Sequence, residues 1–217
     1  METIRQERRA RAFARLQLLL APSRMKLYAV AFLLELAIFF AATLAPVAPS
    51  QKQILLNQGR DLINNATSGT PPQTIVLIFA NNFRIALFDI VPLFGAFFFG
   101  YSMFATGQVI QVLAQGSNVP PLALGAVYFL FPYTVVELAA YALAVSEGVM
   151  IIWAVKRHGL RRELSLLPYG IILLAGVLVL AATFETVFLV STRAGLTLWL
   201  PLGLIVMAAV RHARKKS

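Results

Sequence analysis

Residues Thr74–Ala114 read TIVLIFANNFRIALFDIVPLFGAFFFGYSMFATGQVIQVLA, with only Arg84 and Asp89 charged. A membrane-spanning helix needs ~20 mostly apolar residues. This run is about twice that length, enough for two helices joined by a turn. The turn is expected near Asp89–Gly95, because Pro92 lacks the amide that a helix interior needs and Gly95 follows it.

The same reading extends in both directions. Upstream, Leu27–Ala45 is apolar except for Glu35 and is closed by Pro46 and Pro49. A polar stretch, Ser50–Gln73, follows, with Gly59, Gly69, Pro71 and Pro72 as breakers. Within it, Gln51–Asn64 can form a helix with Ile54, Leu55, Leu62 and Ile63 on one stripe. Asn65-Ala66-Thr67 has the form of a glycosylation sequon. Downstream, Gly116–Pro121 breaks the chain, and Leu122–Val155 is too long for one span. Pro132 divides it into a short or re-entrant segment, 121–131, and a span, Tyr133–Val155. A fifth span covers Leu166–Val190, Ser191–Gly195 forms a tight external turn, and a short sixth span covers Leu196–Val210.

The expected fold class is therefore all-α: a polytopic helical membrane protein of about six transmembrane helices with one extra short helix. Residues 1–26 form a basic segment, 27–210 a single transmembrane domain with an external loop at 46–73, and 211–217 a basic tail.

Composition agrees. Of 217 residues, 59 % are hydrophobic and 13 % charged, against ~45–50 % and ~25 % in soluble domains. There is no cysteine, which excludes disulfides, thiolate metal sites and a cysteine nucleophile. The net charge of +10 comes from 19 basic residues, of which 15 fall in three blocks: Arg5 to Lys26, Lys156 to Arg162, and Arg211 to Lys216. The positive-inside rule places all three blocks in the cytoplasm, and six spans satisfy that placement. The blocks lack interleaved aromatics, so nucleic acid is not the expected partner; the lipid bilayer is. The first block, a basic helix with Ile4, Phe13, Leu16 and Leu18–Leu20 as apolar contacts, reads as an orientation-setting flank, with a headgroup-binding helix as the alternative.

Ionisable groups at membrane depth cost ~2.5–3.5 kcal/mol each on insertion scales and face protein or water. Six fall in the expected spans: Glu35, Arg84, Asp89, Glu137, Glu147 and Glu185. Asn81 and Arg84, three residues apart, share one helix face; Asn82 and Asp89, seven apart, share another. Arg84 and Asp89 are poorly placed to pair, so Arg84 is expected to pair with Glu137 or Glu185, with Asn81 completing its hydrogen bonds. Ala140, Ala144 and Gly148 form a small-residue seam for close helix approach. Glu147, near the cytoplasmic end, is expected to reach water or to pair with Lys156 or Arg157.

Catalysis is not expected. His158 and His212 lie in basic segments, no metal-binding motif occurs, and Ser146 has no histidine to activate it. No cofactor is implied.

Three segments carry a resemblance. Asn81-Asn82, within Ile78–Ala86, is followed by a glycine-containing helix, Gly95 to Gly107. Phe131–Ala139 carries Pro132 and Glu137, and Leu180–Glu185 ends in a late-span glutamate. Together, over about Thr74–Val190, the chain resembles the stage II sporulation protein M family of integral membrane proteins. Tyr133 and Thr134 stand where that family has His-Gly. The resemblance implies a non-catalytic scaffold or partner in an envelope-associated complex of the cytoplasmic membrane. Other envelope proteins, or a second copy, would be its partners, and a polar knot of Asn81, Asn82, Arg84, Glu137 and Glu185 would hold the bundle. The alternative reading is a small proton- or cation-coupled transporter or channel, with Glu137 and Glu185 as carriers and Pro132 breaking a helix beside them.

Overall fold

The computed structural model describes residues 6, 14, 15, 17–67 and 69–214. All the regular structure among them is helical. α1 is Pro22–Leu44, α2 Pro49–Thr67, α3 Pro71–Asp89, α4 Phe94–Gln115, α5 Pro121–Tyr128, α6 Pro132–Lys156, α7 Leu160–Val190, α8 Thr192–Thr197 and α9 Trp199–Arg214. Five of these begin with a proline. At the first helical position the missing amide has no partner to lose, and the fixed φ favours the helix. Pro132 thus starts α6, and the chain breaks just before it, where Phe131 is extended. Pro92 lies in the α3–α4 turn, as expected.

Among the described residues four helices, α1, α4, α6 and α7, are long and apolar enough to cross a membrane, fewer than the six expected. The chain therefore has the architecture of a multi-pass membrane protein. Helix α6 is the most buried. It packs against α1 and α4 on one side and α3 and α7 on the other, with its largest interface on α7. The main core joins Ala31 of α1, Ala86 of α3, Phe99 and Met103 of α4, Tyr141 and Ala144 of α6, and Leu174 and Leu178 of α7.

Gly107 and Gly148 are among the places where backbones approach closely. A Cβ on Gly107 of α4 would strike the Phe39 carbonyl of α1, and one on Gly148 of α6 would lie 2.7 Å from the Ile90 carbonyl. Ala140, Ala144 and Gly148 are all buried, so the expected seam exists and receives the α3–α4 turn. That turn is tight. Leu93 takes φ 66° and ψ −56°, a γ-turn closed by the Phe94 amide donating to the Pro92 carbonyl at 2.8 Å, a conformation that is rare and strained for a non-glycine residue.

Several boundaries differ from expectation. Helix α1 starts at Pro22 rather than Leu27, which brings Arg24 into the helix. Residues Thr192–Thr197 form a short helix rather than a tight turn; the Ser191 hydroxyl caps it by accepting from the Ala194 amide. The polar stretch after α1 is helical over Pro49–Thr67, with Ile54 exposed. The side chains of Leu62, Ile63 and Asn65 lie outside the described residues, as do Ile4, Phe13 and Leu16. Helix α5 is too short to span; Gly125 seats it against Phe39, Phe40 and Thr43 of α1.

Candidate functional site: two sets of membrane carboxylates

The buried face of α1 carries Arg24, Tyr28, Ala31, Glu35, Phe39 and Ala42. These recur every three or four residues and form one stripe. The stripe holds one cation and one acid, about 16 Å apart along the helix at ~1.5 Å per residue. They cannot meet, and each belongs to a different set of acids.

At the end of the bundle that carries Lys156–Arg162, Arg24 is 3 % exposed. Its Nη1 donates to Glu147 Oε1 at 2.6 Å, and its Nη2 donates to Glu163 Oε2. The Tyr28 hydroxyl lies 2.9 Å from Glu147 Oε1 and 3.1 Å from the Leu19 carbonyl, and donates to this pair of acceptors. Gly170 of α7 leaves room for the Glu147 carboxylate, which packs 3.5 Å from where a Cβ would stand. One guanidinium thus ties α1 to α6 and α7. Glu147 neither reaches water nor pairs with Lys156 or Arg157, because it faces inward on the α6 seam and is 3 % exposed. Beside this knot, Arg15 stacks over the Tyr169 ring at 5.1 Å and donates to its hydroxyl at 3.2 Å.

Among the described residues the second set has no cation in contact with it. Glu35 is 0 % exposed and Asp89 1 %, and none of their four carboxylate oxygens has a hydrogen-bond partner among the described residues. Glu35 lies within electrostatic reach of both Glu137 and Asp89, and Glu185 within reach of Glu137. Glu137 accepts from the Tyr141 hydroxyl at 2.8 Å. Tyr141 is in turn within reach of Glu35 and Asp89.

Depth orders the four acids. Glu185 and Glu137 sit about one and a half turns from the far ends of α7 and α6, and both are half-buried. Glu35 is sealed midway along α1, and Asp89 is sealed at the last residue of α3, beside Gly148 and therefore one residue from the Glu147 knot. Among the described residues no three acids or histidines converge to hold a metal ion. The four acids are strung out at different heights along the bundle, a loose file rather than a cage.

No family model, curated protein or solved structure matches the chain. The site must be read from its own geometry.

That geometry corrects the expected knot. Arg84 is exposed and its Nη2 donates to Asn81 Oδ1 at 3.3 Å; it makes no ion pair with Glu137 or Glu185 among the described residues. The cause is helical phase. The inward stripe of α3 is Thr74, Ile78, Asn82, Ala86 and Asp89; Arg84, two residues after Asn82, lies roughly 200° around the helix from it. Asn81 donates to Asn82 Oδ1 at 3.2 Å, linking the two faces. The shared faces of Asn81 with Arg84 and of Asn82 with Asp89 are as expected. The five expected knot residues fall into two groups: Asn81, Asn82 and Arg84 bond to one another along α3, and Glu137 and Glu185 lie within electrostatic reach of each other across α6 and α7.

Arg24, Tyr28, Glu163 and Tyr141 join the site without standing out as charges at expected membrane depth. Two signals in the sequence point to three of them. Pro22 marks a helix start that puts Arg24 and Tyr28 in phase with Glu35, and Tyr141 follows Glu137 by one turn.

Proposed function

We propose that this chain moves protons across the cytoplasmic membrane, as a small proton-coupled transporter or channel whose carriers are Glu185, Glu137, Glu35 and Asp89. The observation that supports this reading is the burial of Glu35 and Asp89 with every carboxylate oxygen unbonded. Acids placed to bind a structure together have partners, since an unsatisfied buried group is costly. Acids that lack partners need positive charge brought to them, and ionisable groups inside membranes mark proton and ion pathways. A file without a coordinating cage suits the proton better than a metal cation. In this reading α3 and α9 complete six spans, the basic ends face the cytoplasm, and the half-buried Glu137 and Glu185 open toward the outside. The Arg24–Glu147 knot closes the file on the cytoplasmic side.

The test is flux in liposomes carrying a trapped pH-sensitive dye and an imposed proton gradient. Wild-type protein should dissipate the gradient. Glu35→Gln and Asp89→Asn should each slow it at least tenfold, while Asp61→Asn, on the exposed surface of α2, should leave it unchanged. Wild-type vesicles that hold the gradient as well as empty ones would defeat the proposal.

A second reading, the non-catalytic scaffold of the stage II sporulation protein M type, is favoured by one observation. Arg84 stands on the outside of the bundle, where a partner could reach it.

A further inference from the structure

The buried hydroxyls of Thr43, Ser146 and Thr186 are spent on backbone, each donating to a carbonyl one turn back on its own helix. The hydroxyls of Tyr28 and Tyr141 reach carboxylates instead. Tyr28 serves Glu147, which already has the Arg24 guanidinium. Tyr141 serves Glu137, an acid of the file, at 2.8 Å, and is itself 3 % exposed.

The height of Tyr141 in the bundle follows from printed contacts on either side of it. Helices α1 and α6 run antiparallel: Tyr28 meets Glu147 near one end, and Phe39 meets Phe129, three residues before α6 starts, near the other. The Tyr28–Glu147 hydrogen bond fixes the register between them. Moving away from it toward the other end, Glu35 comes seven residues along α1 and Tyr141 six residues back along α6. At ~1.5 Å per residue these are steps of about 10 Å and about 9 Å. Tyr141 therefore stands level with Glu35, on the facing helix. Glu137 lies one turn further out along α6, and Asp89 lies deeper, beside Gly148. Tyr141 is within electrostatic reach of all three acids. It occupies the position between the half-buried outer pair and the sealed inner pair.

A phenol has the chemistry that this position needs. Its one oxygen both donates and accepts. Proton transfer needs a hydrogen bond of about 2.6–3.2 Å, or one water between the groups, and the bond to Glu137 already has that length. The bond to Glu35 is not made in this conformation, since both Glu35 oxygens are unbonded. Three side-chain torsions separate the Glu35 carboxyl from its backbone, and rotation about them carries it toward its level neighbour.

We propose that the Tyr141 hydroxyl relays protons between Glu35 and Glu137, the step that joins the sealed acids to the outer ones. Protonated Glu35 rotates onto Tyr141 Oη and gives up its proton there. A new O–H bond forms at Oη as the original one breaks, and the released proton passes to Oε1 of ionised Glu137. Glu35 is left ionised, Glu137 is protonated and the phenol is neutral, as it began. Protons moving the other way reverse the step. This proposal rests on the proton-movement reading and adds a residue to its path.

The liposome assay with a trapped pH-sensitive dye tests it. Tyr141→Phe removes one oxygen and keeps the ring in the core, and its flux should be at least tenfold below wild type. Replacing Tyr141 by 3,5-difluorotyrosine, through nonsense-codon suppression, keeps the hydroxyl but makes the phenol a stronger acid. A relay passes on its own proton, so this variant's flux should differ from wild type at least threefold. A hydroxyl that merely holds Glu137 in place would leave that flux unchanged. Thermal unfolding in detergent checks that Tyr141→Phe is folded; if it is not, the difluorotyrosine variant decides alone. Wild-type flux in Tyr141→Phe would overturn the relay and leave the transport reading standing. Flux lost in Tyr141→Phe but unchanged with difluorotyrosine would also overturn it, and would make Tyr141 an anchor for Glu137. Wild-type vesicles that hold their gradient would defeat the transport reading and the relay with it.

Discussion

Glu147 and Glu35 are both buried glutamates facing the α1–α6 core, yet they differ in almost everything that decides what a buried acid does. Glu147 has a guanidinium at 2.6 Å and a phenol at 2.9 Å. Glu35 has no hydrogen-bond partner among the described residues, and its charged neighbours are acids. The same stripe of α1 serves both: its first turn brings the cation to Glu147, and its middle brings only another acid to the file. Burial alone is therefore no guide to role. An acid with satisfied lone pairs fixes helix positions, whereas one without them stores an unmet demand for positive charge.

The contrast is broken most severely from the paired side. Arg24→Ala leaves Glu147 buried without its cation and frees Glu163. Removing one partner of a buried ion pair typically costs about 3–5 kcal/mol, so this variant should unfold at markedly lower temperature in detergent, or fail to assemble. Thermal unfolding followed by intrinsic fluorescence reads the loss. A stability within about 1 kcal/mol of wild type would mean that the knot is not what holds α1 to α6 and α7.

The unpaired side should respond with the opposite sign. Glu35→Met keeps the length of the side chain and removes two unbonded oxygens from the core. Relieving an unsatisfied buried polar group is worth about 1–3 kcal/mol, so the variant should be more stable than wild type while losing proton flux. Stability gained together with activity lost would show that the chain tolerates a strained acid for its function. A clear destabilisation would mean that Glu35 has a stabilising partner, and the two carboxylate sets would then no longer be different in kind.

How legible this was from the sequence follows from what each feature depends on. The number of spans is only partly legible, since about six are expected and four helices among the described residues are long and apolar enough to cross. The α3–α4 turn at Pro92, the start of α6 at Pro132 and the Ala140–Ala144–Gly148 seam depend on apolar length and local breakers, and these are written in the chain. So are faces within one helix, which is why Asn81 with Arg84 and Asn82 with Asp89 read correctly. Which face looks inward is not local. For α3 the pairing of Arg84 with a carboxylate assumed that the charged side faces the bundle, but Asn82, Ala86 and Asp89 take that side and leave Arg84 outside. The Arg24–Glu147 bridge joins residues 123 apart in sequence. Finding it also required ending the positive flank at Pro22 and treating Arg24 as part of a helix rather than as one more cytoplasmic charge.

A smaller substitution separates charge from geometry within the paired set. The Tyr28 hydroxyl has one proton and two acceptors, Glu147 Oε1 and the Leu19 carbonyl. Tyr28→Phe keeps the ring and leaves Arg24 in place, so Glu147 remains neutralised and loses only one neutral donor. A hydrogen bond of that kind contributes about 1 kcal/mol net. The variant should lose about that much stability and keep the proton flux of wild type, because Tyr28 lies outside the file. A loss approaching that of Arg24→Ala would show that the phenol, by orienting the carboxylate, is what makes the ion pair possible, and that the difference between the two sets of acids rests on hydrogen-bond geometry before it rests on charge.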